Sequence, residues 1–306
     1  MRFFFDGQLW KERPASGFEA RIDDSIDFPA QACWLSAIAV DVDGNESEPA
    51  GQQIPKDTRP STRKLYAVAV GTDSYLKLPQ DLQLHYAGYD AKNFLGALQA
   101  QKSGYYSRIE AMPFIDAPNL KTELPKILRT VAQSATESDT IMLFVSGHGY
   151  RAPDNKLYLV IKESEADNVE GTALSWDALA SALDGTRARI IAFIDACHSG
   201  AVQDGGSNDE IAGTLLAHQV SFTVIAAAKG RQESFELDAP SRGGVFTSAV
   251  VKAMTLDRAS VDTNHNGVIE LSELYRQIKP SILTTMKGEQ TPWLARVDMV
   301  GEVPLF

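Results

Sequence analysis

The sequence is poor in cysteine, in long apolar runs and in basic charge, and each scarcity removes a class of protein. Only Cys33 and Cys197 are present among 306 residues, so neither a disulfide framework nor a CxxC-type zinc site is predicted. No stretch approaches the roughly 20 apolar residues that a membrane-spanning helix needs. With 40 acidic against 29 basic side chains, the formal net charge of −11 argues against nucleic-acid and anionic-membrane partners.

The first ten residues, MRFFFDGQLW, contain an apolar run that is far too short for the core of a signal peptide. The scarcity of cysteine points the same way, because disulfides persist mainly in oxidising compartments. We therefore expect a cytoplasmic protein without nucleic-acid or membrane partners. The sequence leaves the oligomeric state open and slightly favours a monomer.

What is present is enough chain for one large α/β domain and a smaller unit. Residues 1–50 alternate apolar and polar side chains between turn signals, as in GFEARIDD and CWLSAIAVDVDGNESEP, which predicts a small β-rich segment. Residues 51–64 are polar, contain two prolines and lack periodicity, so they predict a linker. From residue 65 to residue 306 the pattern is that of alternating strands and helices.

Continuous apolar strands that alternate with helices predict a mainly parallel sheet covered on both faces. The strands are predicted at 64–72, 108–115, 139–147, 156–161, 188–196, 220–228 and 293–301. The helices are predicted at 85–101, 120–135, 175–184, 244–254 and 271–286, the last interrupted at Pro280.

Two of these strands end in small and polar residues that carry nucleophile chemistry. IMLFVSGHGY (141–150) contains His148, and IIAFIDACHSG (190–200) contains Cys197. Functional groups collect at the carboxyl ends of parallel strands, so neighbouring strands would bring this pair together. A thiol beside an imidazole forms a thiolate nucleophile with its general base. Taken singly, a strand-end Cys is more often a small buried hydrophobe, and His198 is a rival base.

The glycines around His148 fit the same chemistry. Gly147 and Gly149 allow a substrate backbone to approach closely. The amides of Gly149 and Cys197 are candidate donors to a developing oxyanion.

SGHG and DACHSG, at this spacing, resemble the motifs of caspase-like cysteine peptidases. YAVAVGTDSY, YDAKNF, FTVIAAAKGRQESFE, GGVFTSAVVKAM, QTPWL and GEVPLF agree with that resemblance, which covers residues 64–306. It is closest to the bacterial caspase homologues (orthocaspases) and the metacaspases. The resemblance implies an α/β class fold, a three-layer α/β/α sandwich with a mainly parallel six-stranded sheet, beside the small β-rich N-terminal segment. It also implies a cysteine endopeptidase with His148 and Cys197 as the catalytic pair.

The residue two positions before Cys197 departs from animal caspases, which have Gln where this chain has Asp195. Metacaspases resemble the chain here and cleave after Arg or Lys, and their second pocket aspartate matches Asp90 in YDAKNF. Two carboxylates around one pocket repel one another unless a cation lies between them, and a guanidinium suits them. The alternatives are a helix-surface charge for Asp90 and a turn-forming role for Asp195.

A further pattern, DTNHNGVIELSE (262–273), fits the EF-hand calcium loop. The alternative is an Asn-Gly turn followed by a helix N-terminus, and the sequence leaves both open. The candidate ligands are Asp262, Asn264, Asn266, the backbone of Ile269 or Val268, and Glu273, with Gly267 at the turn.

We therefore expect an endopeptidase whose partners are proteins with exposed Arg or Lys and whose chemistry requires no cofactor, with Ca²⁺ as a possible addition. Two alternatives stay open: a catalytically silent caspase-fold scaffold, and a calcium-responsive binding protein. Residues 198–223, the expected loop after the nucleophile, contain no Lys or Arg. Any self-cleavage after a basic residue is therefore expected elsewhere, at Lys56, Arg63, Lys64 or Arg242.

Overall fold

The computed structural model describes residues 1–14, 33–54, 61–101, 104–197, 207–218, 222–229, 232, 234–237, 242–297 and 300–306. The strands are β1 (Arg2–Phe5), β2 (Gln8–Glu12), β3 (Cys33–Ile38), β4 (Ala50–Ile54), β5 (Lys64–Gly71), β6 (Arg108–Ile115), β7 (Thr140–Arg151), β8 (Leu157–Leu159), β9 (Leu174–Ser175), β10 (Arg189–Cys197), β11 (Phe222–Ala226), β12 (Glu236–Leu237), β13 (Gly243–Gly244) and β14 (Trp293–Val297). The helices are α1 (Ala87–Gln99), α2 (Leu120–Ser134), α3 (Val169–Thr172), α4 (Trp176–Ala182), α5 (Asn208–His218), α6 (Val245–Thr255), α7 (Arg258–Val261) and α8 (Leu271–Thr285), with a 3-10 turn at Gln80–Leu82.

The larger sheet has six main strands in the order β14-β11-β10-β7-β5-β6. All neighbours run parallel except β14, which is antiparallel to β11. The short strands β8 and β9 pair antiparallel beyond the end of β7. This mainly parallel six-stranded sheet confirms the fold class that the sequence predicts.

Alternate residues of each central strand enter two separate cores, because side chains along a strand point to opposite faces. In β10, Ile190, Ala192 and Ile194 pack in the layer of α2, α4 and α5. Ile191 and Phe193 pack in the layer of α1, α6 and α8. The result is three layers, with the sheet between two sets of helices. No helix in the described part of the chain is long and apolar enough to span a bilayer.

Helix α8 differs from its prediction, because it runs through Pro280 without interruption. Proline removes one backbone hydrogen bond and favours a break. Here the buried stripe of Leu274, Ile278 and Ile282 continues on both sides of the proline. Burial of this one face in the core outweighs the local preference, as it does for most helices in proteins.

The N-terminal unit is a four-stranded antiparallel sheet in the order β2-β1-β3-β4. The β1–β2 hairpin turns at Asp6 and Gly7, both with positive φ, 50° and 84°, which is the backbone of the tight turns that suit hairpins. Strand β4 lies in residues that the sequence assigns to the linker, so the sheet extends to residue 54. The expected strand in 17–24 and linker residues 55–60 lie outside the described residues.

A buried polar cluster joins the N-terminal sheet to the large domain. The Asp6 carboxylate is 2.7 Å from the Arg63 guanidinium and accepts a 3.0 Å hydrogen bond from the Tyr105 hydroxyl. Arg189 donates to the Asp6 carbonyl oxygen at 3.2 Å and to the Tyr105 hydroxyl at 3.2 Å. Arg63 immediately precedes β5 and Arg189 opens β10, so the cluster lies at the amino-terminal edge of the central sheet. The small unit therefore docks at the edge opposite His148.

Candidate active site

The structure brings the two predicted strand ends together. Strands β7 and β10 are parallel neighbours, and their register pairs Cys197 with His148 and Asp195 with Ser146. The side chain of Cys197 and residues 198–206, including the rival base His198, lie outside the described residues. The backbone register places the candidate nucleophile and base side by side at the carboxyl edge of the sheet.

His148 is buried, 2% exposed, and its tautomer follows from one contact. Its Nε2 lies 2.8 Å from the carbonyl oxygen of Leu82. Because a carbonyl only accepts, Nε2 must carry the proton, and the basic nitrogen of the neutral ring is Nδ1. The ring also stacks on Tyr75, with centroids 5.1 Å apart. The imidazole is thus oriented with one nitrogen assigned and the other able to accept a proton.

The segment after β5 is organised to hold that imidazole. The Tyr75 hydroxyl accepts the His148 backbone N–H at 3.2 Å and donates to the Thr72 carbonyl oxygen at 3.1 Å. The Gln83 side chain accepts the Tyr75 N–H at 2.7 Å and donates to the Tyr75 carbonyl oxygen at 3.0 Å. Gln83 thereby closes the loop that delivers the Leu82 carbonyl. Sequence reasoning missed these residues, and the only signal was the tyrosine that closes YAVAVGTDSY.

The backbone of β7 directs the Gly149 amide towards Cys197. The His148 carbonyl accepts Val160 N–H at 2.8 Å, and its own N–H reaches Tyr75, so both groups face away from β10. Successive residues of a strand present their backbone groups to opposite sides. The amide of Gly149 therefore faces the β10 side, on which Cys197 lies.

The carboxyl groups of Asp90 and Asp195 both lie next to Gly244, in the short strand β13. Asp90 lies in the first turn of α1 and Asp195 lies near the end of β10; each is 2% exposed. The Gly244 N–H donates to Asp90 Oδ2 at 2.8 Å. A Cβ atom placed on Gly244 would lie 2.7 Å from Asp195 Oδ2 and 2.9 Å from Asp90 Oδ2, so only glycine lets the backbone come this close. Asp90 is therefore not the surface charge of the alternative interpretation.

Asp195 is held by two hydroxyl groups. The Thr247 hydroxyl donates to Oδ2 at 2.7 Å, and the Ser234 hydroxyl donates to Oδ1. Burial nevertheless raises the pKa of Asp195 above its usual value, because these bonds only partly offset the loss of solvation. Burial also raises the pKa of Asp90 to about 8, and the negative charge of Asp195 adds to that rise.

Two further carboxylates surround the start of α1. Glu236 accepts the backbone N–H groups of Tyr86 at 3.1 Å and His85 at 3.3 Å, and Asp73 accepts the Gly88 N–H at 3.1 Å. Burial raises the pKa of both. In the part of the chain that the structure describes, neither Asp90 nor Asp195 forms an ion pair with Lys or Arg. The site is thus rich in buried carboxyl groups whose ionisation is disfavoured, and it lacks a described counterion.

A cavity of about 230 Å³ reaches Asp90 from the groove between α1 and α6. Tyr89 and Leu256 lie on its apolar rim, and Arg242 and Lys252 lie on its wall. The cavity is separate from the paired ends of β7 and β10, so it does not mark the reacting centre by itself.

The candidate calcium loop, residues 262–273, has the turn and the helix start of the alternative interpretation, together with the oxygen donors of the EF-hand pattern. Asp262 accepts backbone N–H groups of Asn266 at 3.1 Å and Gly267 at 2.9 Å, and Gly267 turns with a φ of 83°. Glu270 and Glu273 form a reciprocal cap at the start of α8, with the N–H of Glu270 donating to Glu273 at 3.2 Å. The alternative interpretation, an Asn-Gly turn followed by a helix N-terminus, is therefore present in the structure.

The donor set of this loop decides how it could hold an ion. No three His, Cys, Asp or Glu side chains converge as a metal site among the described residues. A cation here would need the amide oxygens of Asn264 and Asn266 beside the carboxylates of Asp262 and Glu273, and a backbone carbonyl. Oxygen donors of these kinds suit Ca²⁺. The residues present thus fit calcium in type, with few negative charges.

The caspase domain family model matches residues 64–303. No curated protein matches the chain. Among solved structures, the crystal structure of protein GSU0716 from Geobacter sulfurreducens is similar, with a TM-score of 0.51 and 16% identity; the match covers 78% of this chain and 94% of that one. At this identity the likeness shows the fold alone. Because the family match spans most of its length, the chain belongs to the caspase domain family of cysteine peptidases.

Proposed function

We propose that this caspase-domain protein is a cysteine endopeptidase that cleaves after Arg or Lys, with Cys197 as nucleophile and His148 as base. His148 Nδ1 takes the thiol proton, and the thiolate attacks the carbonyl carbon before the scissile bond. The amides of Gly149 and Cys197 stabilise the oxyanion. The imidazolium then protonates the leaving amine, and the base activates a water molecule that hydrolyses the thioester.

One observation carries the specificity: Asp90 and Asp195 are buried together without a described counterion. Two carboxylates in one water-poor place are destabilising unless a cation is supplied. A substrate guanidinium or ammonium would supply it, and a guanidinium offers donors to both carboxylates. An acidic substrate side chain would instead meet like charges. We therefore assign Asp90 and Asp195 to the pocket for the basic residue.

A fluorogenic peptide panel that varies only the residue before the cleaved bond tests the assignment. Peptides with Arg or Lys should be cut with a kcat/KM at least two orders of magnitude above that for Asp, because the binding charge is inverted. Cys197→Ala and His148→Ala should each abolish cleavage, and the double variant should lose no more, since the two groups act as one unit. Asp195→Ala should raise KM for basic peptides while alkylation of Cys197 by iodoacetamide proceeds at the wild-type rate.

The same panel separates the alternatives. Cleavage after Asp and none after Arg would remove the pocket assignment and leave the cysteine peptidase. A catalytically silent scaffold would show no turnover and no covalent labelling of Cys197 by an arginyl chloromethyl ketone. Substantial turnover by Cys197→Ala would exclude the mechanism itself.

We further propose that the loop of Asp262 and Glu273 binds Ca²⁺ weakly. The observation that supports this is the donor set described above, on a turn with the EF-hand spacing. Two carboxylates and two amides carry less charge than high-affinity loops, so the dissociation constant should fall roughly in the 10⁻⁴–10⁻³ M range of weak sites. Nothing in the proposed chemistry at Cys197 needs the ion.

A further inference from the structure

Gln290 is a fully buried amide that opens the QTPWL stretch, and no role has been given to it above. It lies between α8 and β14, in a different part of the chain from all the pocket residues. Its Nε2 donates to the carbonyl oxygen of Ala227 at 3.1 Å, and its Oε1 accepts the N–H of Phe235 at 3.3 Å. The side chain therefore ties the end of β11 to the segment before β12.

The tied segment carries the hydroxyl that holds Asp195. Ser234 donates to Asp195 Oδ1 and lies next to Phe235, the residue that Gln290 fixes. Gln290 Nε2 also donates weakly to the Ser234 hydroxyl oxygen, at 3.5 Å. A donor placed there favours the rotamer in which the Ser234 proton points at the carboxylate. The orientation of Asp195 thus depends on Gln290 through one intervening residue.

Only an amide meets both demands at this place. The Ala227 carbonyl needs a donor and the Phe235 N–H needs an acceptor, and both are buried with the side chain that joins them. A buried polar group that loses its partner is costly. Methionine would match the length of Gln290 and satisfy neither partner. Glutamate would keep the acceptor and, when ionised, would set an oxygen against the Ala227 carbonyl.

We propose that Gln290 is a positioning residue for the basic-residue pocket, acting on Asp195 through Ser234. The inference rests on the proposed function, because it concerns the pocket that recognises Arg or Lys. It adds a specificity-determining contact contributed by the connection between α8 and β14. Gln290 does not touch His148 or the reacting bond, so its effect should fall on substrate binding and not on the thiol.

Gln290→Met is the direct test, and Gln232→Met is its matched control. Gln232 donates to the Gly288 carbonyl at 3.1 Å and accepts the Thr291 N–H at 2.9 Å. It therefore holds the same connection between α8 and β14, and among the described residues it forms no hydrogen bond with Ser234, Asp195 or Asp90. We expect Gln290→Met to raise KM for an arginyl peptide roughly tenfold with kcat within threefold of wild type. Gln232→Met should leave KM within threefold, and iodoacetamide should alkylate Cys197 at the same rate in all three proteins.

Ser234→Ala tests whether Gln290 acts on Asp195 through Ser234. It should raise KM to a similar extent, and the double variant with Gln290→Met should lose little more than either single variant. If Gln290→Met fails to fold, Gln290→Glu carries the test, because burial keeps the glutamic acid protonated and able to donate at low pH. Its KM should then be near wild type at pH 6 and rise with pH, whereas KM of the wild-type protein should fall with pH as Asp90 ionises.

The outcomes separate the two levels of the proposal. A wild-type protein that does not cleave after Arg or Lys overturns the proposed function and this inference with it. Wild-type cleavage after Arg with an unchanged KM in Gln290→Met overturns the role of Gln290 alone. Equal losses in Gln290→Met and Gln232→Met, or a fall in kcat and in Cys197 alkylation with KM constant, would make Gln290 a structural residue only.

Discussion

Asp90 is the residue whose ionisation should control how tightly the site holds a basic substrate. Its pKa is raised to about 8, so in the free protein the carboxyl group is mostly protonated at pH 7. A substrate cation prefers the carboxylate, so binding should release a proton and strengthen as pH rises. We expect KM for an arginyl peptide to fall roughly tenfold between pH 7 and pH 9, as the ionised fraction of such a group rises from about 0.1 to 0.9.

The measurement is KM against pH for matched arginyl and citrullinyl peptides. Citrulline keeps the shape of the side chain without its charge, so its KM should change little. In Asp90→Asn the arginyl profile should become flat and remain at the weak-binding limit. A wild-type KM that is constant from pH 7 to pH 9 would show that Asp90 does not ionise on binding.

The same raised pKa predicts that the folded state loses stability as pH rises, whereas substrate binding strengthens. A carboxyl group whose folded pKa lies above its unfolded value favours the folded state at low pH, and the advantage is lost as pH rises through the folded value, here about 8. Asn has no such penalty. Asp90→Asn should therefore increase the free energy of unfolding at pH 9. The shift from 3.8 to about 8 sets an upper limit of about 6 kcal/mol, at about 1.4 kcal/mol per pKa unit, and a weaker hydrogen bond from the Gly244 amide to the neutral side chain reduces the gain.

Urea denaturation of the wild-type and Asp90→Asn proteins at pH 6 and pH 9 measures this difference in the free energy of unfolding. The gain should be smaller at pH 6, where the wild-type carboxyl is already neutral. An Asp90→Asn protein less stable than wild type at pH 9 would mean that the Gly244 amide bond outweighs the desolvation of the charge.

The sequence predicts those candidate site residues whose chemistry is visible in their type. His148, Cys197, Asp90 and Asp195 carry side chains that ionise or attack, and they lie at strand ends or in a helix first turn where topology gathers groups. The Leu82 carbonyl could not be found, because every residue has one. Gln290 opens the QTPWL stretch of the resemblance, but its partners could not be predicted, since they lie far from it along the chain and no spacing marks them.

At the level of elements, errors arose where packing overrides local preference. Helix α8 continues past Pro280 because its buried face lies on both sides of the proline. Strand β7 runs to Arg151, beyond its predicted end, because β8 pairs with the extension. Residues 208–218, expected in a loop, form α5, where Ile211 and Leu215 pack against the sheet. Each of these three elements is stabilised by residues that are distant in the sequence, so a local pattern could not predict it.

The loop before α8 gives a prediction at this scale. If Ca²⁺ binds Asp262 and Glu273, it will do so in the folded protein only and stabilise it by mass action. At 10 mM Ca²⁺, roughly 10 to 100 times the proposed dissociation constant, the gain is about 1.4–2.7 kcal/mol, which for a chain of this size raises Tm by a few degrees. Thermal denaturation with 10 mM CaCl₂ against 10 mM MgCl₂ should show the rise with calcium alone.

Asp262→Asn is the matched variant for that experiment. Asn keeps an oxygen that can accept the N–H groups of Asn266 and Gly267, so the turn is retained while one ligand charge is lost. Its Tm should no longer respond to calcium. An equal response in wild type and Asp262→Asn would place the ion elsewhere, and no response in either would leave the loop as a turn and helix cap.

At the scale of the whole molecule, Asp6 is the counterion that fastens the N-terminal sheet to the caspase domain. Arg63 is 4% exposed, and its Nε and Nη1 atoms find no hydrogen-bond acceptor in the described part of the chain. Asp6→Asn would leave that buried cation without its charge partner. Breaking a buried pair from one side costs roughly 3–5 kcal/mol, so we expect unfolding at a markedly lower urea concentration.

Glu46→Gln is the control, because Glu46 pairs with Arg2 on the surface of the same sheet, where both side chains are partly exposed. Exposed pairs contribute about 0–1 kcal/mol, so this variant should be close to wild type. A similar loss in both variants would mean that the buried cluster contributes no more than a surface pair. A separate early transition in Asp6→Asn would show that the small sheet unfolds before the larger domain.

The docked arrangement also narrows where the protein can cut itself. Arg63 is buried in its ion pair with Asp6, and Lys64 opens β5 with its N–H donating to Asp139 at 2.7 Å. Neither residue can enter an active site as an extended substrate unless this edge of the sheet opens. Of the basic residues considered from the sequence, Lys56 lies outside the described residues, whereas Arg242 is exposed and borders the cavity that reaches Asp90.

We therefore expect self-cleavage of the folded protein to exclude Arg63 and Lys64 and to fall at Lys56 or Arg242. Residues 198–223 should stay uncut, because they contain neither Lys nor Arg and part of them is α5. The caspase domain would then remain one chain through the nucleophile region. Intact-mass spectrometry of active protein beside Cys197→Ala measures this directly, and Lys56→Gln and Arg242→Gln should each remove one product. A fragment that ends within 198–223, present only in the active sample, would contradict both the uncut nucleophile region and the basic specificity from which it follows.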